Sequence, residues 1–384
     1  FRLGGWLVLT LAAAELARAY VLTGFPWAGF AQVWIGQGLD QSLAWIGPHG
    51  LGLLTLGLGW ALWRAFDGPL GWGRASAALV LPAAVALGGG TIRDAQAPAP
   101  LSDQVVRLVQ PNARQDQKWD AELAFSFFAR KLDYTAAGPR PDLIVWPETA
   151  IPTLLEFADG AIAAIDAAAE GVPVVTGIQR REDLRVFNAL IVLRGGPVPD
   201  QIYDKHHLVP FGEYMPFGDL AARFGLHGFA TREGQGFSAG PGPRAVDLGP
   251  VGRALPLICY EAVFPAFARL QGDARPDLLI QITNDAWFGT VSGPYQHLAQ
   301  ARMRAIEQGL PMIRVANTGI SAMIDPQGRI LGQLALGEAG YLDLALPRSA
   351  PATLYARTGD LPVLILIGLG LAVVVLGARR RNTD

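Results

Sequence analysis

The chain has 384 residues, of which 51% are hydrophobic and only 17% are charged. Soluble domains carry about 25% charged residues, so this deficit indicates membrane segments and is atypical of an ordinary soluble enzyme. The net charge of −2 provides no basic excess for binding nucleic acid, and a single cysteine excludes an intramolecular disulfide.

The first 93 residues are predicted to form three membrane-spanning helices. Their apolar stretches cover residues 3–22, 45–63 and 70–92, each near the ~20 residues that cross a bilayer. Residues 24–44 are predicted to be an outside loop, because their aromatic side chains suit the membrane interface. Glu15 and Arg18 are spaced to pair on one helix face. Because the chain begins with Phe1 and no cleavable signal is evident, we expect earlier spans to be missing.

A fourth span is predicted at residues 361–378, an uncharged apolar stretch. It is followed by Arg379, Arg380 and Arg381, which predict that the tail 379–384 lies in the cytoplasm. Residues 94–352 then lie outside the cytoplasm, and the three crossings at the start place them on the same side. The alternative for residues 361–378 is a buried helix followed by a basic tail.

Between residues 94 and 352, short β-branched runs alternate with helical patterns. The runs are 105–110, 143–146, 172–178, 189–193, 255–259, 278–283, 312–316 and 321–324, and the helical candidates are 118–134, 154–169, 263–270 and 295–308. This alternation predicts a layered α/β domain. The runs are mostly apolar throughout, which indicates sheets covered on both faces.

Glu148 comes directly after an apolar run that ends in Trp146-Pro147. The carboxyl ends of strands are where α/β sheets place their sites, so this position suits a general base. A glutamate that accepts hydrogen bonds from the free amides of a helix start is an equally good interpretation of the local sequence.

Lys205 precedes a loop with proline and glycine that contains a second carboxylate, Glu213. Such an ordered loop suits a functional lysine, although a single lysine is more often a solvated surface residue. The neighbouring His206 and His207 do not predict a metal site. Adjacent residues of a strand point to opposite faces, and no nearby ligand has zinc spacing.

Cys259 is the only cysteine and follows the apolar run 255–258. A free cysteine is usually a small buried hydrophobe. Here a strand-to-helix turn would expose it at the sheet edge, and a helix N-terminus would lower the thiol pKa. With Glu148 and Lys205 it completes the proton acceptor, ammonium and thiol that acyl transfer requires.

These three motifs resemble the Glu-Lys-Cys triad of the nitrilase superfamily, and residues 283–289 resemble its segment after the nucleophile strand. With apolar segments on both sides, the chain resembles the membrane-embedded branch of that superfamily, the apolipoprotein N-acyltransferases. The resemblance implies an αββα sandwich with Glu148 as base, Lys205 as oxyanion donor and Cys259 as nucleophile. Further functional residues that it implies are Glu213, Tyr260, Glu261, Trp119 and Trp287; an ordinary core role stays open for Trp287.

The resemblance also implies a ping-pong acyl transfer at a bacterial inner membrane, with the catalytic domain facing the periplasm. A phospholipid, expected to be phosphatidylethanolamine cleaved at sn-1, would acylate Cys259. The N-terminal amine of a diacylglyceryl-cysteine apolipoprotein would then accept the chain. No cofactor and no nucleic-acid partner is expected, and the chain is expected to act as a monomer.

An apolar segment at residues 214–229 is predicted to be a lid that touches lipid, with an ordinary packed loop as the alternative. Its candidate contacts are Tyr214, Met215, Phe217 and Phe224. Two other functions stay open. One is a membrane-tethered amidase with the same triad that hydrolyses a small amide. The other is a non-catalytic membrane receptor or scaffold with the same fold.

Overall fold

A computed structural model describes residues 2–67, 97–216, 236–269 and 275–379, together with residues 84, 88 and 95. Its helices in these ranges are α1 (Arg2–Tyr20), α2 (Leu43–Asp67), α3 (Ala121–Ala136), α4 (Asp159–Ala169), α5 (Gly293–Gln308), α6 (Leu354–Thr358) and α7 (Leu361–Arg379). Its strands are β1 (Leu101–Gln110), β2 (Leu143–Val145), β3 (Val174–Glu182), β4 (Arg185–Leu193), β5 (Gln201–Asp204), β6 (Val246–Asp247), β7 (Arg253–Ile258), β8 (Leu278–Thr283), β9 (Met312–Ala316), β10 (Ser321–Ile324), β11 (Ile330–Leu334) and β12 (Gly340–Pro347).

The strands form two six-stranded sheets with the orders β12-β1-β2-β3-β4-β5 and β11-β10-β9-β8-β7-β6. Strands β1, β2 and β3 are parallel at the centre of the first sheet, and β7, β8 and β9 are parallel at the centre of the second. Antiparallel strands flank both centres. Each sheet therefore has a parallel centre whose carboxyl ends can carry a site.

The apolar runs are continuous because both faces of each sheet are buried. In β2, Leu143 and Val145 lie in the core between the sheets, while Ile144 points to the opposite face, where α3 and α4 pack. In β8, Ile280 faces the core between the sheets and Leu279 packs against α5. Successive strand residues point to opposite faces, so a strand covered on both sides must be apolar throughout. The predicted α/β fold is confirmed, with two sheets between two helical layers.

The helix predicted at 263–270 is wrong. Two short 3-10 turns, Cys259–Val263 and Pro265–Ala268, occupy this region instead. A residue before proline avoids the helical conformation, and Phe264 is extended with φ −93° and ψ 116°. The predicted helix 118–134 begins only at Ala121, because the Asp120 side chain caps its first amides.

The terminal helices pack together beside the sandwich. Val363 and Ile367 of α7 are buried in one cluster with Ala12 of α1. The Glu15–Arg18 pair is confirmed, with 2.8 Å between Oε2 and Nη2. In the ranges that the structure describes, no helix combines the length and hydropathy needed to span a bilayer. The spans predicted for residues 1–93 and 361–378 are thus not confirmed. Most of the predicted span 70–92 and residues 380–384 of the predicted tail lie outside the described residues.

The predicted outside loop, residues 24–44, docks on the sandwich. It contains two 3-10 turns, Phe30–Trp34 and Leu39–Ser42. The indole Nε1 of Trp27 donates to Gln296 Oε1 on α5 at 2.7 Å. This contact places the N-terminal segment next to the strand ends that carry the candidate site.

Candidate active site

Three strand ends bring Glu148, Lys205 and Cys259 together. Glu148 follows β2 and Lys205 follows β5 in one sheet, while Cys259 follows β7 in the other. The three residues are only 6%, 1% and 6% exposed. Lys205 Nζ lies 3.8 Å from Glu148 Oε1, and both charges act on the Cys259 thiol. The predicted triad therefore forms one buried cluster between the sheets.

The carboxylate of Glu148 is held from both sides. Asn188 Nδ2 donates to Oε1 at 2.7 Å, and the backbone N–H of Asn284 donates to Oε2 at 2.8 Å. The segment also crosses Gly177 closely, where an added Cβ would lie 2.7 Å from Glu148 Cα. No helix begins at residue 148, so the interpretation as a helix-start glutamate is wrong. The fixed carboxylate retains lone pairs that can accept a proton.

Lys205 is a buried ammonium and not a surface lysine. Its Nζ donates to Glu213 Oε1 at 2.8 Å, and Glu213 Oε2 accepts the backbone N–H of Val209 at 2.8 Å. Burial lowers the pKa of Lys205, but Glu213 and Glu148 outweigh it and raise the pKa above its usual value. Lys205 thus stays charged, and Glu213 orients it.

Cys259 occupies a strained turn. Its φ is 50°, in the left-handed region that non-glycine residues rarely adopt. Burial, reinforced by the charge of Glu148, raises the pKa of the thiol well above its ordinary value, although Lys205 opposes this effect. The predicted lowering of the thiol pKa by a helix N-terminus is wrong, because a five-residue 3-10 turn follows and desolvation dominates. The resting thiol is neutral and needs a base.

A buried polar network contacts the backbone carbonyl of Cys259. Its carbonyl oxygen lies 3.3 Å from Gln281 Nε2 and 3.1 Å from His297 Nε2. His297 Nδ1 lies 2.8 Å from Asp285 Oδ1, and Arg314 donates to Asp285 Oδ2 at 2.5 Å. Burial would raise the pKa of Asp285, but Arg314 and His297 lower it to about 2. The sequence analysis did not predict this network. Gln281 and Arg314 could have indicated it, because they are polar residues within otherwise apolar strands.

Glu261 connects the nucleophile turn to the lysine loop. Its Oε2 accepts the backbone N–H of Ile258 at 2.8 Å, and its Oε1 accepts that of His206 at 2.7 Å. It also accepts from Tyr203 and His207, both at 3.2 Å. Because Ile258 precedes Cys259 and His206 follows Lys205, the fully buried Glu261 side chain sets the spacing of the segments that carry Cys259 and Lys205.

The chain matches known proteins over most of its length. Residues 105–353 match the carbon-nitrogen hydrolase family. An apolipoprotein N-acyltransferase of Bradyrhizobium diazoefficiens is 38% identical over 98% of this chain and 73% of its own length. The apolipoprotein N-acyltransferases of Rhodopseudomonas palustris and Caulobacter vibrioides are also 38% identical. The matches cover 97% and 94% of this chain, and 73% and 72% of the length of those proteins. This chain belongs to the apolipoprotein N-acyltransferase family. A solved CN-hydrolase superfamily protein from Xanthomonas campestris aligns with 23% identity over 69% of this chain and 97% of that chain, at a TM-score of 0.47.

In this acyltransferase, Tyr260 joins the site to the N-terminal segment. Its hydroxyl donates to the Gly24 carbonyl at 3.2 Å, and its ring packs against Phe25 and Phe264. The residue is only 4% exposed. Tyr260 therefore links the predicted outside loop to the turn that carries Cys259, and its supporting role stays a prediction.

The other predicted substrate contacts lie nearer the surface. Trp119 and Trp287 are 51% and 61% exposed, so the alternative of a core aromatic is wrong for Trp287. Tyr214 and Met215 are partly buried just after Glu213. Phe217 and Phe224, and with them most of the predicted lid, lie outside the described residues.

Three contacts of Glu148 escaped the sequence analysis, although one of them comes from Asn284 in the segment 283–289 named there. Asn188 and Asn284 hold its carboxylate, as described above. Lys118, next to Trp119, donates to the Glu148 carbonyl oxygen at 3.2 Å and to Thr149 Oγ1 at 2.5 Å. Nothing in the local sequence distinguishes the side chains of Asn188 and Lys118, because their partners are distant along the chain, and Asn284 acts through its backbone N–H.

Proposed function

We propose that this acyltransferase moves an acyl chain from a phospholipid to the N-terminal amine of an apolipoprotein through a thioester on Cys259. Membership of the family supports the reaction class. The observation that carries the assignment of roles is the burial of Glu148, Lys205 and Cys259 in one cluster, with the ammonium 3.8 Å from the carboxylate.

In the first half-reaction, the Glu148 carboxylate takes the thiol proton while Sγ attacks the ester carbonyl. The Lys205 ammonium donates to the oxyanion of the tetrahedral intermediate, a contact worth about 3–4 kcal/mol when a buried donor is already in place. The carbon–oxygen bond then breaks, and Glu148 returns the proton to the leaving lysophospholipid alkoxide. A thioester on Cys259 remains.

In the second half-reaction, the free amine of the acceptor attacks the thioester carbonyl. Glu148 removes a proton from the attacking nitrogen, and the carbon–sulfur bond breaks. Glu148 then protonates the departing sulfur, which regenerates the neutral thiol and leaves an amide. One carboxylate therefore serves as acid and base in both steps, as a ping-pong mechanism requires.

Exposed aromatic side chains near the triad support a lipid donor. Trp119 precedes α3, Phe211 lies in the loop after Lys205, and Trp287 lies in the turn after β8. They are 51%, 59% and 61% exposed. Apolar groups left in contact with solvent beside a site suit an acyl chain and help to exclude water.

We also propose that α1, α2 and α7 contact the membrane and that the sandwich faces the periplasm. The exposed apolar side chains of α7 support this, since Leu366, Leu369 and Val373 are 58%, 63% and 70% exposed. The phosphatidylethanolamine headgroup, the sn-1 position and the monomeric state belong to the same proposal.

The test is to trap the thioester. The full chain in detergent is incubated with phosphatidylethanolamine that carries palmitate at sn-1, and Cys259 is analysed by mass spectrometry. We expect a palmitoyl adduct that neutral hydroxylamine releases and that Cys259→Ala abolishes. Lys205→Met should slow its formation by about 10²–10³-fold, the loss typical of one oxyanion donor. Release of ammonia from a small amide without any adduct from phospholipid would instead favour the amidase.

A further inference from the structure

Three charged or titratable side chains lie behind Cys259 and have no part in the reaction. His297, Asp285 and Arg314 are 0%, 1% and 0% exposed. Burying such groups is costly unless they are paired and hydrogen-bonded, and even a well-paired buried ion group often adds little to stability. Stability alone is therefore a weak reason for a buried polar group directly behind the nucleophile.

The imidazole of His297 is held in one orientation. Its Nδ1 lies 2.8 Å from Asp285 Oδ1, and Arg314 donates to Asp285 Oδ2 at 2.5 Å. The ring also packs against the rings of Trp27 and Phe288, with centroid distances of 5.6 and 5.4 Å. Turning the imidazole would break these buried contacts, so its second nitrogen, Nε2, has a fixed position.

This second nitrogen contacts the backbone of the nucleophile. His297 Nε2 lies 3.1 Å from the Cys259 carbonyl oxygen, and Gln281 Nε2 donates to the same oxygen at 3.3 Å. The Nε2 atoms of His297 and Gln281 are 3.0 Å apart, and Arg314 fixes the Gln281 amide by donating to its Oε1 at 2.5 Å. Two side chains thus hold one carbonyl as a pair, and Arg314 anchors both of them.

The carbonyl that they hold belongs to the peptide between Cys259 and Tyr260. This peptide is trans, so its N–H points away from its C=O and therefore away from His297. The N–H of Tyr260 is also one of the first in the 3-10 turn Cys259–Val263, and the first N–H groups of a helical turn have no acceptor inside it. A fixed backbone N–H beside a nucleophile is suited to stabilise an oxyanion.

We propose that His297 is a positioning residue for acyl transfer. By holding the Cys259 carbonyl, it keeps the Tyr260 N–H directed at the oxyanion that Lys205 also stabilises. The turn needs this support because Cys259 has a φ of 50°, and a left-handed non-glycine residue persists only where its surroundings enforce that conformation. The inference rests on the proposed function, in which an acyl group forms a thioester with Cys259.

The test compares a reaction that forms an oxyanion with one that does not. p-Nitrophenyl palmitate acylates Cys259 through a tetrahedral intermediate, whereas iodoacetamide alkylates the sulfur by displacing iodide from a CH₂ group. Both rates are measured at one pH and below the Tm for the wild type, His297→Asn and His297→Gln. The amide of Asn reaches the position of Nδ1 and that of Gln the position of Nε2, so only Gln keeps the contact with the Cys259 carbonyl.

We expect His297→Asn to slow acylation at least about tenfold, because a misaligned donor loses part of the roughly 10²–10³-fold contribution of one oxyanion donor. Its alkylation rate should stay near that of the wild type, since alkylation forms no oxyanion. His297→Gln should keep both rates near the wild-type values, which a role in ring packing alone does not predict.

The matched control is His49→Asn. His49 Nδ1 lies 3.0 Å from Asp360 Oδ1, and its side chain is 9% exposed. It therefore forms a second buried histidine–aspartate pair, which joins α2 to the residue before α7. The Tm of each variant is measured beside the two rates. His49→Asn should keep the wild-type ratio of acylation to alkylation whatever its loss of stability.

Three results would overturn the role of His297. They are unchanged acylation in His297→Asn, equal losses of acylation in the Asn and Gln variants, and an alkylation rate that falls in parallel with acylation. The phospholipid donor is tested separately in the wild type. Acylation by p-nitrophenyl palmitate but not by phosphatidylethanolamine would overturn that donor and leave the comparison at His297 intact. A wild type that neither donor acylates would overturn the thioester and, with it, the role of His297.

Discussion

Replacement of Glu261 by Gln tests whether one buried carboxylate spaces the two catalytic segments. Glu261 accepts two backbone N–H groups on Oε1, from His206 and His207. On Oε2 it accepts the N–H of Ile258 and the hydroxyl of Tyr203. An amide has one acceptor oxygen, so either orientation of Gln turns an NH₂ group toward at least one buried backbone N–H.

Glu261→Gln is expected to cause a large loss of stability. Two hydrogen bonds to a charged group contribute roughly 1.5–3 kcal/mol each, so Glu261→Gln should lower the free energy of unfolding by about 3 kcal/mol or more. At about 2–4 °C per kcal/mol for a domain of this size, the Tm should fall by roughly 6 °C or more. The spacing of Lys205 and Cys259 should also relax, and a 1 Å displacement costs about 100-fold in rate.

The assay combines thermal unfolding followed by tryptophan fluorescence with the rate of Cys259 acylation below the Tm. Tyr203→Phe is the matched control, since it removes one donor to the same carboxylate and should cost about 1.5–3 kcal/mol, half of the loss expected for Glu261→Gln. If Glu261→Gln unfolds within about 2 °C of Tyr203→Phe and acylates at the wild-type rate, Glu261 does not set the spacing, and the argument fails.

Gly177→Ala should slow acylation of Cys259 by about 100-fold, because the new Cβ would lie 2.7 Å from Glu148 Cα and displace the base; the control Gly160→Ala, where nothing lies within 4 Å, should keep the wild-type rate, and equal rates in the two variants would contradict this. In Glu148→Gln, which lacks the internal base, alkylation of Cys259 by iodoacetamide should rise about tenfold per pH unit between about pH 7 and about pH 10, because burial raises the thiol pKa and only the thiolate then reacts. A rate independent of pH in that window would mean that the resting sulfur is already ionised.

The triad was predictable because its signals are local. Glu148 and Cys259 each follow an apolar run, and the carboxyl ends of parallel strands converge whatever the details of the packing. The mistake at Cys259 also had a local cause. The expected helix N-terminus would have lowered the thiol pKa. Pro265 interrupts that helix, and burial of the thiol raises its pKa instead.

The supporting residues were not predictable in the same way. Asn188 and Glu148 are 40 residues apart, and Glu261 and His206 are 55 apart. A polar residue in a buried strand shows only that a partner exists, and nothing in its neighbourhood says which. Lys118 and the Glu148 carbonyl oxygen are a further example, since 30 residues separate them.

The amino-acid sequence by itself determined the layered α/β class, the burial of both faces of each sheet and the residue types that can perform acyl transfer. Alternation and apolar continuity along a strand depend only on which way successive side chains point. Tertiary structure alone decided the protonation of these groups and their spacing. Charges and hydrogen bonds act over a few ångströms in space. The neutral thiol of Cys259 and the charged Lys205 therefore arise only when distant strands meet, as does the link that Glu261 forms between their segments.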